Sequence, residues 1–181
     1  LDKSDPTGLD AEVEMRKYSV FGKKDGEGPN HSYVVIRDAK TGETWIARGG
    51  PDAKGVDFAE KAFEGDLKVT GEVNPVAQSQ DTQVVRDRGK TTYSVDRTTV
   101  NGVTGADLAN KARRYINGVK TGDTNYDYTH NSNSVASDTY QKLTGRNIVK
   151  PDLPGPENKL PTEQHLHIVR MVYQLAISLI N

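Results

Sequence analysis

The chain has 181 residues, with 24 lysines and arginines against 25 aspartates and glutamates. That length suits one domain with a real core, and the balanced charge excludes the basic footprint of a nucleic-acid or anionic-membrane binder. Cysteine is absent, which excludes disulfide frameworks, thiolate metal sites and thiol catalysis in the chain as written.

Apolar residues make up 34% of the chain and fall in organised runs, as in a globular domain rather than a disordered one. No apolar run reaches the length of a transmembrane helix. The first residue is Leu1 rather than Met, which suggests a piece of a longer polypeptide or a processed form.

Residues 1–11 read as a charged, flexible leader. Their aspartates lack the ligand spacing of a calcium loop, so no metal site is expected. EVEMRKYSV (12–20) alternates as a strand. HSYVVIRD (31–38) and ETWIARG (43–49) flank the turn AKTG and predict a hairpin, with Gly42 in the turn. GGP then predicts a departure from the sheet. VDFAEKAFEG (56–65) has helical spacing, LKVTGEV, QVVRD and TTYSVDRTTV read as strands, and Pro75 with AQSQDTQ reads as a loop.

The second half turns helical. Thr104 and Asp107 form a capping box ahead of a face made by Leu108, Ala112, Tyr115, Ile116 and Val119. HNSNSVASDTY (130–140) opens the next helix, with Asn131 as N-cap and Ser132 at the first helical position. Val135, Ala136, Thr139, Tyr140 and Leu143 are its buried stripe, and Gly145 its stop. Residues 146–161 form an irregular proline-rich connection, and 162–181 a C-terminal helix with a wide apolar stripe. One domain spanning 1–181 is expected.

Ser132 stands where the helix dipole and free backbone amides favour an ionised nucleophile and its oxyanion. The same residues also make an ordinary cap, so a catalytic reading needs a base from elsewhere in the chain. Of the four histidines, His31 opens a strand, His130 is the rival base but ranks second because it lies too close in sequence to approach Ser132 in line, and His165 and His167 diverge on a helix. Tyr33 shares the face of His31, and Glu43 on the partner strand is the carboxylate chosen to orient the imidazole. Asp127, Tyr128 and Asn131, before or at the helix start, and Tyr33 beside His31 are candidates for lining the cleft.

HSYVVIRDAKTGETWIARGGP followed much later by YDYTHNSNSVASDTYQKLTG resembles the circularly permuted branch of the papain-like superfamily. That branch includes NlpC-like peptidoglycan hydrolases and relatives of lecithin:retinol acyltransferase. The resemblance covers about a quarter of the chain and rests on the order of the two blocks. It implies an α+β fold, a small antiparallel sheet packed against helices, with Ser132 in the nucleophile position and His31 as general base. It further implies hydrolysis of an amide or peptide bond through an acyl-enzyme, with peptidoglycan or a protein as substrate. A bacterial secreted effector or toxin delivered to a target periplasm fits it, with an immunity protein or chaperone as partner and no cofactor.

The departure is the nucleophile, a cysteine in that family and a serine here. A native serine enzyme, an introduced Cys→Ser exchange and a catalytically silent binding module all accommodate it. Lipid acyl hydrolysis or transfer is also compatible with the architecture.

Overall fold

The structure, a computed structural model, describes residues 9–20, 30–52, 67–121, 125 and 131–148. The expected helix at 56–65, the C-terminal helix with His165 and His167, and Asp127, Tyr128 and His130 lie outside the described residues.

Among the described residues, five antiparallel strands form one sheet: β1 (Ala11–Ser19), β2 (Asn30–Asp38), β3 (Thr44–Pro51), β4 (Val69–Pro75) and β5 (Tyr93–Val100), in the order β4-β3-β2-β1-β5. The β2–β3 hairpin has the register Arg37↔Thr44 to Tyr33↔Arg48, and its turn carries Gly42 at φ 72°. β1 begins at the end of the expected leader, where the Asp10 carbonyl accepts from Ala39 N at 3.0 Å.

Among the described residues, three helices complete an α+β fold: α1 (Gln80–Asp87), α2 (Gly105–Thr121) and α3 (Ser132–Thr144). A 3-10 turn, Val76–Gln78, precedes α1. QVVRD is therefore helical, not a strand. Ser79 caps α1 by accepting from Asp81 N at 3.3 Å. The β-branched pair Val84 and Val85 packs on a small cluster of Tyr18, Tyr33 and Ile46, so tertiary contact overrides the local strand preference of the two valines.

Sheet alternation separates two faces. On one, Val13, Met15, Val34, Ile36 and Ala47 meet Leu108, Ala112 and Ile116 of α2 and Val135, Ala136, Tyr140 and Leu143 of α3 in the main core. Tyr140, Met15, Ile36 and Ile116 are the largest side chains fully enclosed, each worth about 1.5–3 kcal/mol on burial. Every residue of the expected α3 stripe is buried. The other face carries Tyr18, His31 and Tyr33, partly covered by α1.

The capping box of α2 is half as expected. Asp107 N donates to Thr104 Oγ1 at 3.1 Å, but the Asp107 carboxylate accepts from the Thr104 hydroxyl rather than from its backbone. Asp38 joins the hairpin turn to the same helix start: Oδ1 accepts from Lys40 N and Thr41 N, and Oδ2 from Gly105 N at 2.8 Å. Those backbone donors hold its carboxyl below the usual range.

The glycines of GGP do not leave the sheet. Gly49, Gly50 and Pro51 part from β2 but stay paired to Gly71, Thr70 and Val69 of β4. Continued pairing with β2 would set Gly50 opposite His31; instead the two strands fork. A Cβ on Gly49 would lie 2.5 Å from the Cβ of Val135, so glycine lets the first turns of α3 come close against β3.

Candidate active site

Asn131 is the N-cap of α3, as expected. Its Oδ1 accepts from Asn133 N at 2.9 Å and Ser134 N at 3.3 Å, while Asn131 N donates to Ser134 Oγ at 2.8 Å. The cap thus takes the second and third amides of the helix and leaves the Ser132 amide, the first, outside its grasp. Ser132 is 6% exposed.

The next residue ties this helix start to His31. Asn133 Oδ1 accepts from Ser32 N at 2.8 Å, and Asn133 Nδ2 donates to the Asn30 carbonyl at 3.0 Å. Those two backbone groups flank His31 and face the side of β2 that β3 has vacated. The Asn133 amide serves them as one residue of a parallel neighbouring strand would. The fork between β2 and β3 therefore receives the first turn of α3, with Asn133 against β2 and Val135 against β3.

His31 itself projects to the α1 face. Its ring is stacked on Tyr33 (centroids 6.5 Å, interplanar 22°) and tilted against Tyr18 (5.2 Å). Tyr33 thus shares the face of His31, as the two-residue period predicts. Among the described residues no hydrogen bond joins Ser132 to His31: the His31 side chain lies on the α1 face of the sheet, and α3 packs on the other.

The carboxylate at His31 is Asp81. Its Oδ1 lies 3.0 Å from His31 Nε2 and accepts from the Tyr18 hydroxyl at 2.9 Å; its Oδ2 lies 3.2 Å from Arg48 Nε. The approaches of His31 and Arg48 are close but not aligned as hydrogen bonds. Asp81 is 1% exposed. Burial raises its carboxyl, but the His31 and Arg48 contacts and the Tyr18 hydroxyl outweigh burial and hold it below the ordinary carboxylate range. Burial, then the charge and hydrogen bond of Asp81, push the Tyr18 hydroxyl far above its usual value. Burial likewise pushes Tyr33 up to about 12, with Arg16 opposing.

Glu43 is not part of this constellation. Asp38 N donates to its carbonyl at 2.9 Å, which sets it level with the far end of β2. From His31 to Asp38 the strand rises roughly 23 Å, at about 3.3 Å per residue. An exposed carboxylate that far away cannot orient the imidazole. Asp81 was hidden in AQSQDTQ, which reads as a loop. The available signal was Ser79 two residues before it, the spacing of a helix cap.

With Asp81 at Nε2, Nδ1 is the nitrogen left to exchange a proton with a reacting group. The arrangement combines an imidazole beside a buried carboxylate with a serine at a helix N-terminus, and the next residue of that helix, Asn133, binds the backbone groups on either side of His31. Among the described residues, no group of three or more His, Asp or Glu side chains could hold a metal ion, and no helix is long and apolar enough to cross a membrane. Comparison with protein-family models, with curated proteins and with solved structures returned no match.

Proposed function

We propose that this domain hydrolyses an amide or related acyl bond through an acyl-enzyme, on a papain-like architecture in permuted order. The observation that carries this reading is the Asn133 amide bound to Asn30 and Ser32. It holds the residue after Ser132 in register with His31, on elements far apart in sequence.

Ser132 Oγ attacks the substrate carbonyl while His31 Nδ1 takes its proton, and Asp81 stabilises the imidazolium that forms. The tetrahedral oxyanion is received at the α3 N-terminus, with the Ser132 amide as a donor the cap does not consume. His31 then protonates the leaving amine, and water deacylates the enzyme by the reverse proton path. A hydroxyl is far less acidic than a thiol, so a serine nucleophile depends more on its base. The buried carboxylate beside His31 supports a serine in this position.

Peptidoglycan peptide stems are the proposed substrate, and delivery to a target periplasm as a secreted effector the proposed setting; both rest on the family resemblance. The test is a fluorophosphonate probe followed by peptide mass spectrometry, beside digestion of purified peptidoglycan. Labelling at Ser132, absent in Ser132→Ala, with release of stem fragments is the expected result. Absence of label and of product, in both the protein and Ser132→Cys, overturns the reading and leaves a binding module.

A further inference from the structure

We infer that Arg48 is a positioning residue of this site: its guanidinium fixes the first turn of α1 to the sheet and so holds Asp81 against His31. The inference rests on His31 being the base of the proposed reaction.

Among the residues of α1 only Asp81 is buried. Its apolar anchors, Val84 and Val85, are half-buried and come after the first turn. Hydrophobic packing therefore leaves that first turn without an anchor, and the carboxylate it carries must be placed by polar contacts. Arg48 supplies them from the central part of β3. Nε lies 3.2 Å from Asp81 Oδ2, Nη1 donates to Gln80 Oε1, and Nη1 is 3.9 Å from Glu72 Oε1 on β4.

The guanidinium lies over Gly50 of its own strand, where a Cβ would stand 3.6 Å from Arg48 Nη2, an ordinary contact distance. One side chain thus ties two consecutive residues of α1 to two strands. A lysine cannot replace it, because a single ammonium on a flexible stem lacks the separate Nε and Nη donors. Without Arg48, the Asp81 carboxylate loses the cation at Oδ2, retains the Tyr18 hydroxyl bond at Oδ1 and can turn away from the imidazole.

The experiment compares the wild type with Arg48→Lys, Arg48→Gln and Asp81→Asn. The His31 Nε2–H proton is followed by NMR, with thermal unfolding as the check on fold and steady-state kinetics on the acyl substrate. Enclosed 3.0 Å from Asp81 Oδ1, the His31 Nε2–H should exchange slowly in the wild type, and its signal is expected to vanish in all three variants. In Arg48→Lys, kcat should fall on the order of 100-fold, the scale of a small misplacement of reacting groups, with KM changed less than about twofold. A variant that unfolds at lower temperature yet keeps the Nε2–H signal and kcat shows a merely structural arginine and overturns the inference. If Arg48→Gln does not fold, Arg48→Lys and Gln80→Ala carry the same comparison.

The two readings fail separately. Loss of the signal in Arg48→Lys, with no acyl hydrolysis by the wild type, upholds Arg48 and removes the hydrolase. Retention of the signal with an active wild type does the reverse.

Discussion

His31 Nε2 and Asp81 Oδ1 stand 3.0 Å apart, although the two residues come from the second strand and a short helix beyond the fourth. The carboxylate is enclosed, shared with Tyr18 and Arg48, and lies at a helix N-terminus, where negative charge is favoured. Every group that touches it stabilises its ionised form. Its protonation state is therefore coupled to stability as well as to the imidazole.

The coupling predicts acid sensitivity with a definite sign. Asp81 is held below its unfolded value, about 3.9, so its contribution is present above that pH and is lost as pH falls through the lower folded value. Urea unfolding followed from pH 6 to pH 2 should show that loss, and Asp81→Asn should flatten the acid limb. Asp81→Ala, which leaves the half-buried Arg48 guanidinium and the Tyr18 hydroxyl without this partner, should cost about 1–3 kcal/mol. An unchanged acid limb in Asp81→Asn would sink this assignment.

Asn133→Ala leaves the Ser32 amide and the Asn30 carbonyl without their partners. A cost of about 1–3 kcal/mol is expected, together with faster hydrogen exchange at the Ser32 amide. Asn133→Asp keeps the acceptor and loses the donor, so Ser32 should stay protected in it. Equal exchange at Ser32 in the wild type and the alanine variant would show that the amide does not clasp β2 in solution.

Two glycine-to-alanine changes should have opposite signs. At Gly49 the new methyl would meet Val135 at 2.5 Å and push α3 away from β3, at a cost of about 1–3 kcal/mol. At Gly118, near the end of α2, nothing lies within 4 Å, and alanine should stabilise by about 0.5–1 kcal/mol through helix propensity. Chemical denaturation of both variants decides it.

Tyr140 is fully buried, and its hydroxyl donates to Asp96 Oδ2 at 3.0 Å. Burial, then the hydrogen bond and charge of Asp96, push it up to about 12. Raised above the unfolded value of about 10, its contribution is fully present below pH 10 and is lost as pH rises toward 12. Spectrophotometric titration should show one fewer high-pH tyrosine in Tyr140→Phe. A Tyr140 that ionises near pH 10 in the folded protein would contradict the buried bond.

Local patterning was legible wherever one period dominated. The alternation of HSYVVIRD and its turn with Gly42 led to the right hairpin, and the 3.6-residue spacing after Thr104 and Asn131 located both long helices, with the α3 stripe buried throughout and the α2 face buried at Leu108, Ala112 and Ile116. Tyr33 followed from His31 by the strand period alone. These features depend on residues within one element, where backbone geometry ties each side chain to a face.

What the sequence by itself determined, then, was the identity and inner face of most elements, and the cap that puts Ser132 first in its helix. Only the tertiary structure decided which residues meet. Val84 and Val85 favour a strand locally, yet packing on Tyr18, Tyr33 and Ile46 makes their segment a helix and delivers Asp81 to His31. Glu43, near His31 on paper across a hairpin, sits at the hairpin's other end. Gly49 and Gly50, which read as a break, open a fork that admits α3. Each outcome turns on contacts across long stretches of chain, such as Asn133 with Ser32 and Arg48 with Asp81. A local period carries no information about them, because they exist only once the sheet has set the distances.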